Sequence, residues 1–323
     1  MRSNARPSRV MIGLIALVAL VATACGSSSG SKASTSKGLK LGGPSECPTR
    51  PYCEPGLKGT YGIAIKSFKA LDPGGPLTVK AIKDGTVDLG LMFTSDPTVE
   101  AQGLQLLTDD KHLQASDNIV AVVAKKFDKA PATTALNGVD AKLSQEALVG
   151  MNKAVQIQHA PAQTVASGFL AAVGLTKATL CGGATGSGKV TIGAFNFAES
   201  KLLGEVYSAA LKTCGYSTSV KSLGSREVVY PALTRGDLDL VPEYAATLAD
   251  FVNKKKNGAS AATISSGDIT TTMTALRGVL PSSLVALEPA PATDQNGFAV
   301  TKAFATAHNL TTMSDLATYS KTV

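Results

Sequence analysis

Apolar residues between Val190 and Val241 switch repeatedly between strand-like and helical spacing. Val190, Ile192 and Phe195 open a short β-like run, and Leu202, Leu203, Val206, Ala209, Ala210 and Leu211 then recur at helical spacing until Gly215. A second short strand is predicted around Ser217 to Ser222. Gly224-Ser225 starts another helix with a stripe of Val228, Val229, Ala232 and Leu233, and Gly236 is its C-terminal cap. Leu238 to Val241 reads as a buried strand. Alternation at this spacing predicts βαβ units on a parallel sheet, an α/β fold whose ligands sit beyond the carboxyl ends of the strands. Asn196, Glu199, Ser225, Glu243 and Tyr244 all fall at such ends.

A weaker copy of the second half of this pattern runs from Pro76 to Glu100. Leu77, Val79, Ala81 and Ile82 precede Gly85, a strand spans Val87 to Phe93, and the polar residues Thr94 and Ser95 follow. The correspondence suggests two similar α/β lobes that face each other across a cleft, the ordinary place for a small ligand.

The ends and the composition place that architecture outside the cytoplasm. Arg2, Arg6 and Arg9 precede an apolar run from Val10 to Ala22, too short for a comfortable membrane span, so residues 1–24 read as a signal peptide. Val21 to Cys25 resembles a bacterial lipobox, which predicts lipidation of Cys25 and a lipid-anchored, flexible Ser/Gly/Lys tether over residues 25–37. Removing the leader takes three arginines and no acid from a net charge of +7. A mildly basic surface remains, not a nucleic-acid footprint, and Lys254-Lys255-Lys256 reads as a solvated helix end. Of the five cysteines, Cys47 and Cys53 bracket a short proline-rich loop that a bridge would hold. Cys181 precedes one strand and Cys214 ends the helix leading to the next, so the two are expected to meet. His112, His159 and His308 show no metal-ligand spacing with the cysteines. Gly183 to Val190 nearly spells a P-loop, but Val190 stands where the magnesium-holding Ser/Thr belongs and a β-like run follows. No nucleophile elbow occurs, and no cofactor is expected.

Several motifs carry a family resemblance. Asn196-Phe197-Ala198-Glu199-Ser200 is similar to N-F-T-E-Q, and Asp239 to Thr247 to D-x-Y-P-E-Y-T-G-T. Asp294 to Val300 resembles the hinge strand N-N-T-Y-A-L-A, Leu41 to Glu46 resembles L-G-G-P-P-E, Phe93 to Asp96 resembles Y-S-T-D, and Asp109-Asp110-Lys111 resembles D-D-K. Together they resemble the glycine betaine, choline and carnitine-binding proteins of osmoprotectant ABC importers. The resemblance implies a two-lobed type II periplasmic-binding fold that traps a small solute without turnover and docks on an ABC permease as a monomer.

The motifs stand in swapped order. In the usual arrangement the segment near Val190 comes first, so the chain looks circularly permuted, with residues 176–189 joining the family's old termini. Residues 38–118 plus 295–323 would then form one lobe and residues 119–294 the other, hinged near Asp117-Asn118 and Asp294-Gln295. A quaternary ammonium has no N–H to donate, so aromatic faces hold it best. Tyr244 is the leading cage residue, with Phe93, Phe298 and Tyr52 placed by the resemblance. Asn196, Glu199, Ser200, Thr94 and Ser95 are polar candidates, and Ser225 at a helix N-terminus can receive a ligand carboxylate. Arg226 is open to an ion pair with the ligand, or with Glu199 or Glu243. Asp117 stands where the family carries an aromatic hinge, and either attracts a cation or stabilises the hinge. Two rival readings remain at this point: a receptor for another small polar solute such as an amino acid, and a secreted two-lobed enzyme.

Overall fold

A computed structural model describes residues 38–323; the leader, Cys25 and the tether lie outside the described residues. The chain first lays down β1 (Leu39–Gly43), β2 (Ile65–Ala70), α1 (Pro76–Lys83), β3 (Leu89–Phe93) and β4 (Leu104–Leu107). It then crosses to a second sheet as β5 (Asn118–Ala124), followed by α2 (Ala132–Asp140), α3 (Gln145–Gln156), α4 (Ala162–Ala172) and α5 (Lys177–Cys181). The alternating stretch follows as β6 (Lys189–Phe195), α6 (Ala198–Thr213), β7 (Ser217–Gly224), α7 (Arg226–Arg235), β8 (Leu240–Tyr244) and α8 (Ala245–Asn257). After α9 (Ile269–Val279) and β9 (Leu284–Thr293) the chain returns to the first sheet as β10 (Asn296–Thr301), and α10 (Lys302–His308) and α11 (Met313–Ser320) close it.

Strand order is β2-β1-β3-β10-β4 in one sheet and β7-β6-β8-β5-β9 in the other. The two orders are the same pattern. In each sheet three neighbouring strands run parallel, as the alternation predicts. The arriving strand, β10 or β5, runs antiparallel to both neighbours, so the sheets are mixed and not purely parallel. The reason is geometric: the parallel strands send their carboxyl ends toward the other sheet, and a strand entering from that side must run the other way.

Packing follows burial. All seven residues of β5 and all five of β8 are buried, as expected of central strands covered on both faces. In the first sheet Leu89 and Leu91 join one apolar cluster and Met92 the other, the period-two alternation of a strand between two layers. Among the acids buried in the second half, Asp140 is fully enclosed, accepts the Tyr207 hydroxyl at 2.6 Å, and is pushed up to about 8 by loss of solvation.

Cys47 is bonded to Cys53 and Cys181 to Cys214, with Cα separations of 5.2 and 5.6 Å. The stretch 176–189, read as a linker, is helical in its first part. Thr176 closes a capping box on α5, which the second disulfide ties to the end of α6, and the glycine-rich remainder runs into β6. Lys254 to Lys256 are exposed in the last turn of α8. The first and last described residues adjoin, since the Gly38 N–H donates to the Val323 carbonyl at 2.8 Å. Among the described residues no helix is long and apolar enough to cross a membrane.

Candidate functional site

The crossings between the sheets lie side by side. Asp294 N–H donates to the Asp117 carbonyl at 3.1 Å. The Gln145 side chain ties the Asp294 crossing to the end of β3, donating to the carbonyls of Thr94 and Thr293 at 3.0 Å each and accepting from Thr293 N–H at 2.8 Å. Asn152 on α3 donates to the Ser95 carbonyl at 3.1 Å and to Glu199 Oε2 at 2.5 Å, and Ser95 donates to Asp294 at 2.8 Å. These bonds form the floor of an interlobal cleft.

One chamber of that cleft, about 1060 Å³, gathers Tyr52, Phe93, Asn196, Ser225, Arg226 and Tyr244 from separate elements, with Asp117 and Asp294 also in its wall. The carboxyl ends of β6 and β8 bring three rings together here. Phe195 lies 5.9 Å from Phe197 and 6.5 Å from Tyr244 between centroids, and Phe197 lies 6.1 Å from Tyr244. Tyr244 is almost wholly buried, and its hydroxyl donates to Glu199 Oε1 at 2.7 Å, which fixes the ring orientation. Phe197 is 43% exposed, unusual for so large an apolar ring. The sequence reading passed over Phe195 and Phe197. Phe195 was accounted for as strand core, and the exposed ring of Phe197 carries no periodicity; the only signal was the F-x-F spacing at a strand end.

Arg226 is resolved among its alternatives. Nε and one terminal nitrogen clasp Glu243 at 2.8 to 3.2 Å, and the guanidinium stacks 5.1 Å from the Phe195 centroid. The Glu243 side chain is only 2% exposed, so this desolvated pair pins the start of α7 to β8. Its positive charge is already matched.

Four placements differ from expectation. Ser200 is fully buried and accepts from the Phe195 N–H at 2.8 Å. Phe298 is buried in the core of the first sheet, because it lies inside the central strand β10, whereas Asn296 at the start of that strand reaches the cleft. Thr94 does not line the cleft; its hydroxyl donates to the Thr293 carbonyl at 3.1 Å and accepts from Gln295 N–H at 3.1 Å, bracing the crossing. Ser225 lines the cleft, but its hydroxyl donates to Glu227 at 2.5 Å, so an acid occupies the corner expected to receive a carboxylate.

Asp117 accepts from the backbone N–H of Thr247 at 2.9 Å and from its hydroxyl, capping the first turn of α8 across the hinge. Loss of solvation still pushes its carboxyl up to about 6 against those bonds. Asp294 is pushed well above the usual carboxylate range, first by burial and then by the nearby charge of Glu199. Among the described residues no group of three or more His, Cys, Asp or Glu is arranged to hold a metal ion.

Two mixed sheets flanked by helices, joined by two adjacent crossings and facing a polar-aromatic cleft, define a solute-binding protein of the type II periplasmic class. Residues 29–172 and 188–323 match the family described as the substrate-binding domain of ABC-type glycine betaine transport systems, and the chain belongs to that family. It is an extracytoplasmic solute-binding protein of an osmoprotectant ABC importer, serving a membrane permease and capturing a glycine betaine, choline or carnitine-type solute without catalysis. Among solved structures the chain is similar to the L-cystine solute receptor of Neisseria gonorrhoeae, at 11% identity over 88% of this chain and 87% of that one, with a TM-score of 0.42. The second substrate-binding domain of a putative amino acid ABC transporter from Streptococcus pneumoniae gives 12%, 88%, 93% and 0.43. Scores this low carry no argument about ligand.

Proposed function

We propose that the chamber beside Tyr244 holds a quaternary ammonium ligand of net positive charge, a choline-like alcohol rather than a zwitterionic betaine. The observation that carries this is the state of the groups nearest the rings: Arg226 is consumed by Glu243 and by the face of Phe195, and Ser225 by Glu227, while Arg50 pairs with Glu46 and Lys254, unpaired among the described residues, stands exposed in the last turn of α8. Asp117 and Asp294, in contrast, line the chamber without a cation paired to either in an ion pair. A ligand carboxylate would meet acids, whereas a trimethylammonium group would meet Tyr244, Phe197 and the carboxylate of Asp117, which is charged above about pH 6. Tyr52, Phe93 and Asn196 complete the wall in this reading, and Glu199 acts by orienting Tyr244.

The swapped motif order is proposed as a true circular permutation. Three features support it: the adjoining ends at Gly38 and Val323, the family match broken over 173–187, and the shared strand order of the sheets, which leaves the topology unchanged when the halves exchange places in sequence. Lipidation of Cys25 would anchor the protein at the outer face of the membrane, where it would meet its permease as a monomer.

The test is thermal denaturation of the mature protein with choline, glycine betaine, carnitine and proline. Choline should raise the Tm most, since a ligand bound only by the folded state stabilises it by mass action. Tyr244→Ala should abolish that rise. A larger rise with betaine than with choline would reject the charge argument.

A further inference from the structure

The cleft does not end at the proposed cation chamber. A second hollow of about 870 Å³ opens between α1 and the end of α3, and its wall shares Phe93, Phe197 and Asp294 with the first. Its remaining surface is largely carbon, from Pro73, Pro76 and Val79 on one side and Ala198 on the other. Gly74 keeps this wall open: a Cβ there would stand 3.0 Å from the Phe93 ring, in a backbone of positive φ that favours glycine. At the mouth Lys80 lies 3.0 Å from Asp84 and is 75% exposed, and Lys83 donates to the neutral Gln102 side chain at 2.9 Å.

We propose that this second chamber receives an apolar substituent carried by the cationic ligand, so that the cleft accepts choline esters bearing a short acyl chain as well as the free alcohol. The inference rests on the cation site proposed above. Two observations carry it. The chambers adjoin, with Phe93, Phe197 and Asp294 in the walls of both, so a ligand whose ammonium lies against Tyr244 can direct a substituent past Phe197 toward the second. Phe197 is also bare on a surface that borders both chambers, leaving apolar area that a methylene chain would cover. A pocket of about 300–1,000 Å³ suits a ligand of drug size, so a small compatible solute leaves the second chamber unfilled.

The experiment compares choline with butyrylcholine and hexanoylcholine by isothermal titration of the mature protein and two variants. Gln156→Trp and Gln102→Trp fill the second chamber from opposite walls at exposed positions, so folding is preserved. Each fully buried methylene is worth about fourfold in Kd, and hexanoylcholine should bind at least tenfold more tightly than choline. Either tryptophan should remove most of that gain and leave choline unchanged. Equal affinity for choline and its esters, or a gain untouched by both tryptophans, overturns the second chamber while sparing the cation site. Failure of choline itself to bind overturns both.

Discussion

Single side chains at the cleft are held by their neighbours more than by their own type. The ring of Tyr244 is aimed by one hydrogen bond to Glu199, which is oriented in turn by Asn152. Tyr244→Phe keeps the aromatic face and removes a donor from a buried carboxylate, so choline should still raise the Tm while the unliganded protein loses about 1–3 kcal/mol, measured by urea denaturation. Asp117 gives a pH signature. Its carboxyl titrates near 6, so it is neutral below that pH and must lose its proton before it can favour a cation. Choline affinity should therefore fall as pH drops from 7 to 5. Asp117→Asn should flatten that profile, and an unchanged profile in the variant would assign the dependence to another acid. The motif alignment legibly placed Tyr244, Arg226 and Asn196 at the cleft. Phe298 and Thr94 fall outside it, because a match of letters carries no information about how deep in a sheet a residue lies or which neighbours its side chain bonds.

At the scale of elements, the hydrophobic periods located β6, α6, α7 and β8 closely, while β7, none of whose residues is buried, was bounded by Gly215 and Gly224. The antiparallel strands β5 and β10 were invisible as such: direction in a sheet depends on where the chain comes from, not on the residues of the strand. α5 shows another limit of the sequence reading. Thr176 and Thr179 form a capping box within a stretch that looked like a spacer, and the Cys181–Cys214 bridge makes the helix part of the core. Replacing both cysteines with serine should lower stability by about 2–4 kcal/mol, seen as a lower Tm without loss of choline binding, because neither sulfur lies at the cleft. Loss of binding with unchanged stability would contradict that separation.

For the whole molecule, the repeated strand order makes the halves interchangeable in sequence. Joining Val323 directly to Gly38 and opening the chain within 182–188 should give a protein with the same far-ultraviolet circular dichroism and the same thermal response to choline. Failure to fold would show that 176–189 contributes more than a connection. Closure of the halves on a ligand would be hinged at the paired crossings, where Asp294 N–H bonds to the Asp117 carbonyl.

The sequence by itself determined the alternation of strands and helices, the presence of two related halves, the pairs of cysteines close enough to bond, and the family motifs, since each is a local or pairwise property of the chain. Tertiary structure alone decided which of the motif residues face the ligand space. Partners come largely from elements separated in sequence: Glu243 on β8 pairs with Arg226 on α7, and the rings of Phe195 and Phe197 become neighbours of Tyr244 only when β6 and β8 lie side by side.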